Sequence, residues 1–322
     1  ITPAYTTIYK SGSFGTKKYD HATGAYIGGR GYGTKGNFYY DECYEMWAEE
    51  CEYLKIPFGF YFLDEALNTE EVDEEVDLIL GVGMKLADAI KEGAELYPDQ
   101  NFVLVDEEIK DAKNVKSILF NAQESAYLAG LVAGRMTKTN SVGFIGGMEL
   151  PVIDTFKYGF MAGVKAANPK AEIQAQYANS FTDQAKGKAI ANQMYSNGAD
   201  IVFTCGGDVG TGAIEAAKEN GKFAIGVDRD QSDLAPEYVL TSAIKRVDVG
   251  VYETVKAYVD GLFEGGTTTV YGLEDNAVGI PDTTKNLVSQ DILDYVAEQT
   301  EKLKNGEIVA PKTEEEYNAM FK

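Results

Sequence analysis

The sequence is short of the residues that most hydrolases and metalloproteins depend on. His21 is the only histidine among 322 residues, so a Ser-His-Asp or Cys-His mechanism would have to run through it. Cysteine is nearly as scarce. Cys43 and Cys51 would share a helical face and Cys205 stands apart, an odd set without a CxxC pair. That pattern excludes a disulfide scaffold and a standard zinc site, and no metal or cofactor is expected. No apolar run approaches the roughly 20 residues needed to cross a bilayer. Nor is there a leader with a charged start and an apolar core, so the chain is expected to be cytoplasmic or already processed. Basic residues are also under-represented, with 29 Lys and Arg against 51 Asp and Glu and a net charge of −22. Nucleic-acid backbones and anionic lipid surfaces both need clustered bases, so both are excluded as general partners.

What is present is an ordinary globular composition, 44% hydrophobic and 25% charged,. The length suits two domains. Charge is unevenly spread: residues 1–36 carry a net +4, whereas residues 37–80 carry fourteen acids against Lys55 alone. From about residue 81 the chain alternates regularly between helix and strand. Helices are expected at 84–96, 121–136, about 154–166, 183–197 and 209–219. Strands are expected at 102–105, 141–145, 171–177, 200–204, 222–227 and 238–243. Gly198 and Gly221 fall where a helix commonly ends in a left-handed residue. Strands alternating with helices indicate βαβ units and a parallel sheet with helices on both faces. Within 121–136, Asn121 and Glu124 have capping-box spacing. Ala126, Ala129, Gly130, Ala133 and Gly134 form a small-residue stripe that implies close helix packing.

In open parallel α/β sheets, ligands bind beyond the carboxyl ends of the strands. The loops there are GVGMK (81–85), VDEE (105–108), GGMELP after Ile145, ANSFTD after Tyr177, CGGDVGTG after Thr204 and VDRDQ after Gly226. They combine glycines and carboxylates with few bases, which suits a neutral polyhydroxyl or cationic ligand better than a phosphate. Asp228 follows an apolar strand and could accept from the two hydroxyls of a ribose cis-diol, or serve as a cap or ion-pair partner. Asp106 has the same kind of position after FVLV and the same two roles open to it. Gly206, Gly207, Gly210 and Gly212 either admit a ligand to the backbone or form a tight strand-to-helix turn. Gly31, Gly33 and Gly36 fit GxGxxG, but a dinucleotide site needs an acidic residue about 20 positions on at the end of a second strand, and Asp64 and Glu65 lie about 28 past Gly36,. Asp64 and Glu65 follow the aromatic strand of FGFYFLDEALN. As neighbours in an extended run they point to opposite faces, which argues against a facing acid–base dyad.

The strings VGFIGGMELPVIDTFKYGFMAGVKAANP, SFTDQAKGKAIANQMYSNGADIVFTCGG, AIGVDRDQSDLAP and LTSAIKRVDVGVY closely resemble the basic membrane protein family of bacterial lipoproteins. Those are ABC-transporter substrate-binding proteins and include purine nucleoside receptors. The resemblance covers about residues 81–285. It implies an α/β, type I periplasmic-binding fold: two Rossmann-like lobes with parallel sheets and a ligand cleft between them. Residues 1–118 with about 245–285 would form one lobe, and 119–244 with about 286–322 the other. The resemblance also implies that Asp228 of the GVDxDQ loop holds a ribose, assisted by Lys245. Asp106 would approach from the first lobe, and Gly206 and Gly207 would line the crevice. Asn37, Phe38 and Tyr39 are the nearest counterparts of the family's base-contacting loop.

The function so implied is extracytoplasmic capture of a nucleoside for uptake, by a non-enzymatic monomer working with an ABC permease. It would be lipid-anchored through an N-terminal segment absent from this chain. Residues about 24–79 instead resemble, locally, family 25 glycoside hydrolases, which are muramidases. That supplies an enzymatic alternative using Asp41, Asp64 or Glu65. A sensor that borrows the receptor fold without transport is a third possibility.

Overall fold

The structure, a computed structural model, describes strands at 5–10, 18–20, 25–27 and 58–62 and the continuous stretch 76–321. The described elements run β1 (Tyr5–Lys10), β2 (Lys18–Asp20), β3 (Ala25–Ile27), β4 (Phe58–Phe62), β5 (Val76–Val82), α1 (Ala87–Leu96), β6 (Asn101–Val105), β7 (Val115–Phe120) and α2 (Ala122–Met136). They continue with β8 (Ser141–Gly146), α3 (Pro151–Ala167), β9 (Glu172–Tyr177), α4 (Gln184–Ser196), β10 (Ile201–Cys205), α5 (Asp208–Asn220), β11 (Phe223–Asp228) and β12 (Val239–Lys245). The last are α6 (Val247–Val259), β13 (Thr268–Tyr271), β14 (Val278–Gly279), α7 (Gln290–Lys304) and α8 (Glu314–Met320).

The chain divides into two compact units, one of Ala4–Ile118 with Val251–Thr269 and the other built mainly of Leu119–Gly250 with Val270–Lys322. The segment that returns to the first unit is thus Val251–Thr269, and residues 270–285, grouped by the resemblance with the first lobe, belong to the second unit.

In the first unit the sheet order is β13-β7-β6-β5-β1-β4. Strands β5, β6 and β7 are parallel, and β1 runs antiparallel to both β4 and β5. The apolar run LILGV lies within the seven-residue strand β5. Its Leu78, Ile79 and Leu80 are fully buried, because a parallel strand covered on both faces reads as an unbroken apolar run,. AYI forms an antiparallel hairpin with β2, not the parallel strand a dinucleotide site requires.

In the second unit the order is β14-β12-β11-β10-β8-β9, parallel from β9 through β12. Central β10 is buried along its whole length, whereas edge strand β9 (EIQAQY) is mostly polar and exposed,. Helix α3 begins at Pro151, three residues before the sequence spacing suggested, since proline at the first helical position gives up no hydrogen bond,.

The small-residue stripe does bring helices together. It lies on α2 and meets glycines of α3. A Cβ on Gly130 would fall 2.3 Å from the Phe160 carbonyl oxygen, and one on Gly163 would fall 2.0 Å from that of Tyr127. The helices therefore touch backbone to backbone.

The capping box does not form. Asn121 is the N-cap residue of α2, but its side chain makes no capping hydrogen bond. Glu124 instead accepts from the Leu273 backbone N–H at 2.9 Å, and Asn121 Oδ1 accepts from Lys312 Nζ at 3.0 Å. A partner distant in sequence has outcompeted the local one. Burial holds the Glu124 carboxyl above its ordinary value of 4.5, against the pull of the Leu273 N–H and Lys312, with Glu274 and Asp275 pushing the same way as burial. The native state thus binds this proton more tightly than the unfolded chain does. Its contribution is greatest at low pH and is lost as pH climbs above 4.5,. Glu124→Gln can still accept from Leu273 and carries no charge. Denaturant titrations between pH 4 and 7 should show a flatter decline for the variant than for the unmodified protein. Identical pH profiles would count against this role.

Candidate functional site

The carboxyl ends of β8, β10, β11 and β12 lie side by side in the second unit, because the strands are parallel and in register. Asp228 is the last residue of β11 and Lys245 the last of β12. Their side chains meet, with Lys245 Nζ 3.7 Å from Asp228 Oδ1. The lysine side chain is only 7% exposed while the aspartate is 34% exposed. A buried ammonium therefore faces a carboxylate that remains open to solvent. Lys245 Nζ also lies 5.9 Å from the centre of the Phe120 ring, a cation–π contact at the end of β7,.

Asp228 has φ = 65°, a left-handed backbone that costs a non-glycine residue about 1–3 kcal/mol,. Aspartate is among the few side chains that tolerate it. Asp106 shows the same φ of 65° directly after β6 in the other unit, where its N–H donates to the Ile118 carbonyl at 2.9 Å. Each unit thus ends a central parallel strand in an aspartate held in a rare conformation.

The glycines after β10 have separate roles. Gly206 is buried against Gly147, the residue after β8. Gly207 takes φ = 59° as the N-cap of α5 and is partly exposed. Gly210 and Gly212, by contrast, lie inside α5 and pack on Thr204 and on the backbone of Gln184, so they serve the strand-to-helix turn. Phe181 folds its ring over Gly147 and accepts at its carbonyl from the Asp208 N–H. Asp183 caps α4, accepting from the Lys186 N–H at 2.9 Å.

Of the residues singled out from sequence, the structure brings Asp228 and Lys245 into contact, sets Gly206 and Gly207 at the end of the adjacent strand, and carries Asp106 in the other unit. Asn37, Phe38 and Tyr39 lie outside the described residues, as do Asp41, Asp64, Glu65, Cys43, Cys51 and His21. Sequence reasoning missed Phe120, Phe181 and the loop-holding pair Gln231 and Ser242. Phe120 ends β7, whose Lys116 and Ser117 interrupt the apolar pattern that would have marked the strand. Among the described residues no cluster of His, Cys, Asp and Glu could hold a metal ion.

A solute-binding protein of an ABC transporter system from Aeropyrum pernix K1 matches this structure with a TM-score of 0.69 at 27% identity, over 78% of this chain and 81% of that one. The α/β fold with parallel sheets is that of a substrate-binding protein of an ABC transporter. The chain belongs to the PnrA-like family of these proteins, whose model matches residues 64–314. A CD4+ T-cell-stimulating antigen of Listeria monocytogenes is 44% identical over 261 residues, spanning 76% of this chain and 72% of that protein. The ABC transporter nucleoside-binding protein BmpA of Lactococcus lactis is 41% identical over 251 residues, 73% of this chain and 71% of the relative.

Family membership makes the chain a ligand-binding component that works with a permease and binds a small molecule, not an enzyme. The glycoside-hydrolase alternative is thereby set aside. Members of the family act outside the cytoplasm. Among the described residues no helix is long and apolar enough to cross a membrane.

Proposed function

We propose that the protein binds a nucleoside, with a purine base, and delivers it to an ABC permease. The observation that carries this reading is the Asp228–Lys245 pair, a carboxylate open to solvent on a buried ammonium at the end of a parallel strand. Such a carboxylate can accept from both hydroxyls of a ribose, while the lysine beneath it holds it in place,. The name of the Lactococcus relative, a nucleoside-binding protein, points the same way. Asp106, with the same strand-end position and backbone, is a further ligand contact in this proposal, and Gly206 and Gly207 are proposed to line the site at the end of β10. Asn37, Phe38 and Tyr39 are proposed to meet the base. The protein is proposed to act as a monomer held to the membrane by a lipid anchor.

Calorimetric titration with inosine, guanosine and adenosine, with free ribose and adenine as controls, tests the reading. Saturable binding of at least one purine nucleoside, tighter than of either control, is expected. A folded protein that takes up none of the three would overturn it.

A further inference from the structure

We infer that Gln231 is a positioning residue that sets the direction of the Asp228 carboxylate; the choice of ligand in its test rests on the nucleoside reading above. The chain reverses sharply at Asp228, where the Arg229 N–H donates to the Val227 carbonyl at 2.8 Å. A three-residue turn closed this way, with its central residue at φ = 65°, is the strained form of the γ-turn,. It persists only where its surroundings over-determine it.

Those surroundings are supplied by Gln231. The β10–β11 ladder ends at the Phe203–Ile225 pair, so Val227 lies past the last strand partner on that side. Its N–H donates instead to Gln231 Oε1 at 2.8 Å. The Gln231 N–H donates in turn to Ser242 Oγ on β12 at 3.1 Å. The amide side chain thus completes the ladder on one side of β11 while its backbone is pinned to the strand on the other. Gly226 makes this possible. A Cβ there would come within 2.7 Å of Gln231 Oε1 and 2.6 Å of Ser242 Oγ. The rest of the loop is fastened independently, since Asp230 accepts from the Ser232 N–H and from the Thr283 hydroxyl. Gln231 therefore acts on Asp228 through the backbone of Val227, with its oxygen already engaged there. It directs the carboxylate toward Lys245.

The test compares guanosine affinity in the unmodified protein, Gln231→Leu, Asp228→Ala and the double variant, with melting temperatures measured alongside. Leucine approximates the volume of glutamine and removes the acceptor. Gln231→Leu is expected to weaken binding by roughly ten-fold, and to add almost nothing once Asp228 is alanine. A residue that only stabilised the fold would lower the melting temperature equally in both backgrounds and leave affinity unchanged. Full affinity in folded Gln231→Leu, or additive losses in the double variant, would overturn the inference. Should Gln231→Leu fail to fold, Ser242→Ala, which removes only the acceptor for the Gln231 N–H, is expected to weaken guanosine binding by about three-fold. Unchanged affinity there would count against the inference. If the unmodified protein binds no nucleoside, the functional reading fails by itself, and a crystal structure of Gln231→Leu then decides. Asp228 relaxing to negative φ supports positioning by Gln231, and Asp228 still near φ = 65° refutes it.

Discussion

Asp228→Ala is expected to reduce nucleoside affinity about 10-fold to 100-fold. Hydrogen bonds to a charged acceptor are worth about 1.5–3 kcal/mol, and each 1.4 kcal/mol is about ten-fold in affinity. The alanine variant also loses thermal stability for two reasons. Alanine bears the full cost of the left-handed backbone at φ = 65°, about 1–2 kcal/mol,. The change also takes the carboxylate away from Lys245, whose side chain is 7% exposed. Asp228→Asn separates these effects. Asparagine tolerates the same backbone, so it should melt closer to the unmodified protein while still binding weakly, because only one of its two side-chain terminal atoms accepts hydrogen bonds and neither is charged. Calorimetry and thermal melts on the two variants distinguish ligand contact from structural support. Unchanged affinity in both would mean that the carboxylate only holds Lys245.

The second large effect concerns stability. In an exposed helix, Gly→Ala gains about 1 kcal/mol from propensity. At Gly163 the sign should reverse. The new Cβ would fall 2.0 Å from the Tyr127 carbonyl oxygen and 3.0 Å from the Leu131 nitrogen, both backbone atoms of α2. A backbone cannot swing aside as a side-chain tip can, so α2 and α3 must separate along their length. Overpacking typically costs about 1–3 kcal/mol, and here it has to exceed the propensity gain. Gly163→Ala should lower the melting temperature by several degrees. Gly163→Val, larger and β-branched within a helix, should lower it by about 10 °C or prevent folding. Circular dichroism melts check both. A raised melting temperature in Gly163→Ala would show that the helices are not in backbone contact.

Much of this architecture was legible because its causes are periodic and local. Buried parallel strands such as IVFTC and FAIGV read as unbroken apolar runs, and the glycines and alanines of α2 recur at helical spacing. The cap at Asp183 is just as local, since its partner Lys186 is three residues away. The unseen parts depend on distant partners. β7 carries Lys116 and Ser117 amid its apolar residues, β13 is four residues long and β14 only two, which leaves too little pattern to register. The antiparallel placement of β1 is set by β4 and β5, more than 45 residues downstream. The capping box failed where Glu124 had a choice between its own helix end and Leu273, 149 residues away.

The sequence by itself determined the class of fold, the family and the importance of the loop that carries Asp228, because hydrophobic periodicity and contiguous motifs are properties of neighbouring residues. Only the tertiary structure decided what Asp228 does there. The ammonium beneath it comes from the end of the next strand, the Phe120 ring from a different segment, and its backbone conformation is held by an amide folded back over Gly226 and secured to Ser242. Hydrogen-bond partners and ion pairs are selected by distance in space, and spacing along the chain constrains that distance only within a helical turn or a strand.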